Sequence, residues 1–137
     1  MNRSDARALA KTTLEGLALF RQVYSYEPRS FGGYSPVATI HAKSLDLVED
    51  ARGLTSAGGE IWVTLYLARP EGQEAAVEDR MDDLARAAAF ALAAAFSPHV
   101  AQVQIGPSQS GYPTRPLDNQ TYRMERFAVR FDDDTED

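Results

Sequence analysis

"EIWVTLYLARPEGQEAAVEDRMDDLARAAAFALAAAF", residues 60–96, changes its apolar period partway along. Over residues 60–67 the period is two: Ile61, Val63, Leu65 and Leu67 face one way, and Trp62, Thr64 and Tyr66 the other. That is a β-strand, and its aliphatic face and its Trp/Thr/Tyr face imply cover on both sides. From about residue 74 the period lengthens to that of a helix, which the Ser97-Pro98 pair stops at Phe96.

This helix has two unlike halves. At 100° per residue, Val77, Met81, Leu84, Ala88, Leu92 and Ala95 form one stripe, the core side. Asp79, Asp83 and Arg86 project opposite, with Glu78 and Asp82 between. Asp82 and Arg86 are spaced for an exposed i, i+4 pair, and Glu74, Glu78 and Asp79 suit the positive end of the helix dipole. The acids therefore read as a solvated face. In the second half Ala89, Phe90, Ala93 and Ala94 occupy the face the charges held earlier, and Phe90 lies roughly 140° from the stripe. An apolar face so far round needs other cover. Either the N-terminal helix or a loop folds over it, or a neighbouring subunit does, with the alanines permitting close approach and Phe90 as anchor.

On the N-terminal side, Leu9, Thr13, Leu17, Phe20 and Tyr24 recur at helical spacing, predicting an amphipathic helix over residues 4–24, capped by Ser4 or Asp5 and closed by Pro28. The connector RSFGGYSP follows, and residues 37–43, VATIHAK, form a strand. In residues 44–59, LDLVEDARGL is a strand end or a short helix, placed before a turn at SAGGE. Beyond the second helix, residues 100–105 alternate as a strand, 106–119 have the turn chemistry of a long exposed loop, and 121–131 form the last strand. In that strand Tyr122 and Met124 point one way and Phe127, Val129 and Phe131 the other, so either a bulge near Glu125 and Arg126 shifts the phase or the two halves bury different faces. The expected fold is one α+β domain over residues 1–131: a mostly antiparallel four-stranded sheet with two helices on one face, in the order α-β-β-α-β-β.

Composition narrows the function. The net charge of −6 belongs largely to residues 132–137, which hold five acids and no base and form an acidic, disordered C-terminal tail. The body is close to neutral and its 14 Lys and Arg are scattered, which disfavours a polyphosphate-binding face. Without cysteine there is neither a disulfide nor a thiolate metal site. The uncharged run 87–96 is about half the roughly 20 residues of a membrane span, and the N-terminus has no continuous apolar core, so a cytoplasmic protein is expected. Phosphate-binding, dinucleotide-binding and nucleophile-elbow motifs are missing, and no cofactor or metal is expected. The candidate acid/base groups are His41 and His99, each needing a carboxylate such as Asp82 or Asp83. Phe31 and Tyr34 in the connector, and Tyr112 and Arg115 in the proline-rich loop, suit protein recognition, or else pin their own loops.

The layout resembles the tail terminator (tail completion, minor tail) proteins of long-tailed bacteriophages and related prophages. It is carried by an amphipathic helix running into VYSYEP and SPVATIHAKS, the strand GEIWVTLYL, the acidic-to-apolar helix EDRMDDLARAAAFAL, and the closing strands VAQVQIG and YRMERFAVRF, over residues 4–131. The resemblance implies a virion protein assembled in the host cytoplasm: a homohexameric ring on the end of the tail tube. Such a ring halts tube polymerisation, meets the tail tube protein on one face and a neck or head-completion protein on the other, and lets DNA pass through its lumen. It carries over no catalytic residue. Another neck or head–tail connector component or a tube subunit is the neighbouring alternative, and a small hydrolase using His41 or His99 the remote one.

Overall fold

The computed structural model describes residues 1–51, 53–100, 103–106, 109–111 and 121–132. The alternation of residues 60–67 extends into a longer strand than its clearest stretch: β3 covers Gly53–Ala68 and pairs antiparallel with β2, Val37–Asp50, down to the pair Asp50 and Gly53. Residues 44–59 are thus the distal part of one hairpin, and SAGGE is strand, not turn. Its glycines serve close approach: Gly58 has φ +135°, and a Cβ there would lie 2.2 Å from the Phe131 carbonyl oxygen. A pair of glycines in sequence signals a turn and a crowded strand crossing equally well.

Helix α1 covers Arg3–Gly16, shorter than the apolar spacing through Tyr24 predicts. Gly16 interrupts it, Ala18 adopts φ +56°, and the chain enters a three-residue strand, β1, Gln22–Tyr24, parallel to β2. The cap is Asn2, whose Oδ1 accepts the Asp5 N–H at 2.8 Å. Helix α2 covers Glu74–Phe96, as its periodicity predicts, with Phe96 rather than Ala95 ending the buried stripe. Strands β4, Val103–Ile105, and β5, Gln109–Gly111, both pair with β6, Tyr122–Asp132. Asp132, expected in the tail, closes β6 opposite Gly58; residues 133–137 of the expected tail lie outside the described residues.

The α+β class holds, but the expected four-stranded, mostly antiparallel sheet is corrected to a mixed, six-stranded one, ordered β1-β2-β3-β6-β4 with β5 also on β6. The element order is α-β-β-β-α-β-β-β. Both unforeseen strands are three residues long, too short to show a period: β1 replaces the end of the expected first helix, and β5 lies in the expected loop.

Both helices cover one face of the sheet. Ala6, Ala10 and Leu14 of α1 and Met81, Leu84, Ala88, Leu92 and Phe96 of α2 pack with Ile40, Ile61, Val63, Leu65, Phe127, Val129 and Phe131. On the outer face Phe31, Val37, Tyr66 and Tyr122 form a second core, so the connector 25–36 covers the aromatic side of β3. Strand β6 pairs with β3 without a register shift, which leaves the second of the two expectations: its two halves bury different faces. At the crossover the helix-side positions carry Arg123 and Glu125, both buried. Arg123 Nε donates to Glu78 Oε1 at 2.7 Å, and its Nη2 lies 3.0 Å from Glu125 Oε1, which also accepts from Ser110 Oγ at 2.7 Å. Arg123 further donates through Nη1 to the Met124 carbonyl. Burial opposes the Arg123 charge, but bonding to Glu78 and Glu125 more than offsets it and raises the guanidinium pKa. Glu78, expected in a solvated face, therefore ties the start of α2 to β6.

Candidate assembly interface

The second half of α2 puts Ala88, Leu92 and Phe96 into the core and turns its remaining apolar surface outward. Beside it runs the short edge strand β4. Between them lies a groove of about 400 Å³ lined by Ala85, Arg86, Ala89, Phe90, Ala93, Ile105, Gly106 and Phe127. The alanines keep its wall low, and Phe90 stands on its rim, 66% exposed. Helix α1 packs beside α2, yet among the described residues nothing covers that ring. Arg86, expected to pair with Asp82, instead places its guanidinium 5.7 Å from the centre of the Phe90 ring. The surface is an apolar rim with a cation at its edge, suited to a partner carrying apolar side chains and a negative charge.

Of the other residues expected to meet partners, Ala93 lines the groove and Ala94 is exposed next to it. Phe31 is 2% exposed, with rings of Tyr66 at 4.8 Å and Tyr122 at 5.4 Å, so it pins its own connector to the sheet. Tyr34 is exposed, with the Arg21 guanidinium 5.8 Å from its ring centre. Tyr112 and Arg115 lie outside the described residues.

Sequence reading missed a second exposed apolar feature. Leu45, Leu47 and Leu54 stand exposed on the distal hairpin, Leu54 at 65% and Leu47 at 51%. The two-residue alternation of Leu45 and Leu47 was a usable sign, masked by the glycine pair beyond it.

The outer face carries a polar cluster around Trp62. Arg126 and Lys43 lie over its ring at 4.5 and 4.7 Å, and His41 meets it edge-on at 5.5 Å. Arg126 donates to Thr64 Oγ1 at 2.9 Å and to Glu27 Oε1 at 3.3 Å. His41 Nδ1 lies 3.4 Å from the same Glu27 oxygen, without the alignment of a hydrogen bond. Burial lowers the His41 pKa below 6.5, helped by Arg126 and Lys43 and opposed by Glu27. The unfolded chain then takes up the proton first, so the neutral ring's contribution to stability is lost as pH falls below about 6.5. Urea midpoints of the wild type should fall over that range relative to those of H41Q; parallel curves would remove His41 as the cause.

His41 stands on the outer face and α2 on the other, so Asp82 and Asp83 do not come to it, and His99 is exposed past the end of α2. Among the described residues no group of three His, Asp or Glu side chains could hold a metal ion, and no helix is long and apolar enough to cross a membrane.

In comparison with known proteins, no family model matches the chain and no curated protein is significantly similar to it.

Proposed function

We propose that this chain is the subunit of a ring that terminates the tail tube of a long-tailed bacteriophage, joining the tube to the neck or head. The observation that carries the reading is the Phe90 rim and its groove, an apolar surface that a lone domain leaves in water. The resemblance over residues 4–131 supplies the type of assembly, a homohexamer with the tail tube protein on one axial face and a neck or head-completion protein on the other. Its action is steric. One face of the ring matches the last tube ring, while the opposite face offers no template for another, and DNA passes through the lumen.

Phe90→Glu places a charge at the anchor while leaving the buried stripe intact. We expect a folded monomer of 15.1 kDa and subunit affinity weakened about 30-fold or more, the loss typical of a hot-spot residue worth ~2 kcal/mol. Native mass spectrometry and light scattering read the assembly. Purified wild-type protein added to polymerising tube protein should shorten the tubes. A wild type that stays monomeric at high concentration and leaves tube length unchanged would end this reading.

A further inference from the structure

Beyond the base of the sheet, β2 and β3 continue as a two-stranded ribbon. Strand β6 stops pairing at Gly58 and β1 at Thr39, so among the described residues the segments 47–50 and 53–57 pair only with one another, with Leu45 and Asp46 at the foot of the ribbon. The ribbon extends roughly 16 Å past Gly58, taking five residues at about 3.3 Å each. Two-stranded ribbons are marginal in water unless something packs on them.

One side of this ribbon and its foot carries three exposed leucines. Leu45 and Leu47 alternate along β2, and the next position on that side, Glu49, is paired with Leu54 of β3. This side continues the helix-facing surface of the sheet: Leu45 is opposite Gly59, where a Cβ would meet the Arg3 side chain of α1 at 3.1 Å. Past that point no helix covers it among the described residues, and the leucines stand exposed with Glu49 among them. On the opposite side Arg130 braces the foot of the ribbon, 3.0 Å from Asp46 and 3.3 Å from Glu60.

We propose that this ribbon of one copy lies in the α2–β4 groove of the next, its leucines against Ala85, Ala89, Ala93 and Phe90 and its Glu49 at Arg86. The lengths agree: Leu45 to Glu49 covers about 13 Å along a strand, and Ala85 to Ala93 about 12 Å along a helix. The charges agree as well, an exposed carboxylate on the arm and a guanidinium on the groove's rim. The arm extends from β2 and β3 whereas the groove lies at β4, beyond β6, so the two surfaces are different patches of one subunit. Their union is head-to-tail, the geometry that generates rings. The inference rests on the ring reading and says which surfaces close the ring.

Mixing separates it from other modes of assembly. L54E should disable the arm and F90E the groove, each leaving folded monomers with wild-type circular dichroism. An equimolar mixture retains one intact arm and one intact groove, and should form a 1:1 heterodimer that grows no further. If L54E assembles as the wild type does, or the mixture stays monomeric, the arm is not the occupant, although the ring itself stands. A wild type monomeric at all concentrations overturns both. Because the chain has no cysteine, L54C/A89C gives an independent reading that needs no disruptive charge. Mild oxidation should yield a ladder of dimers, trimers and higher species, while L54C and A89C alone stop at dimers; no ladder beyond dimer in the double variant overturns the contact.

Discussion

Arg123→Ala is expected to lower stability by about 3 kcal/mol, because it removes the guanidinium that lies 3.0 Å from the buried Glu125 carboxylate. The figure is taken from the low end of the range for broken buried pairs, since Glu78, the other partner, is half exposed and recovers solvation. Against a total of about 5–15 kcal/mol for a domain, this is a large share. Urea unfolding of the variant measures it. The double variant R123M/E125L, which removes both charges in favour of apolar side chains, should regain most of the loss. A single variant within 1 kcal/mol of wild type would show that the network is not needed for the fold. The functional consequence follows from the place of the network: Glu78–Arg123 ties the start of α2 to β6, the strand that also carries β4, and so holds together the two walls of the groove.

Phe31→Ala is expected to cost about 3–5 kcal/mol, through lost burial and the cavity left among Tyr24, Tyr66 and Tyr122. The connector should then detach from the outer face and become open to trypsin at Arg29. The groove is on the other side of the sheet, so the native fraction of F31A should assemble as the wild type does. Loss of assembly without loss of stability would instead place Phe31 in a subunit contact.

The candidate site was partly legible. Phe90 could be found from its angle alone, because a residue some 140° from a helix's buried stripe cannot reach the same core. The leucine arm could not be found in this way. Leu45 and Leu47 carry the alternation, but Gly58-Gly59 suggests a turn, and only the pairing with Phe131 and Asp132 shows that these glycines make room for a neighbouring strand. Phe31 shows the reverse: glycines and a proline around an aromatic residue suggest an exposed loop, and only the outer face of the sheet shows that the ring has somewhere to go.

Local periodicity by itself determined helix α2, the two faces of β3, the α+β class and the surplus of apolar surface at Phe90, since each is written over enough consecutive residues for burial on one side to leave a pattern. Tertiary structure alone decided the three-residue strands β1 and β5, the exchange of faces along β6 with its Arg123 network, the buried place of Phe31 and the unaccompanied length of the β2–β3 ribbon. These depend on which segments distant in sequence meet, and a contact between residues such as Glu78 and Arg123 leaves no mark on the spacing of either segment alone.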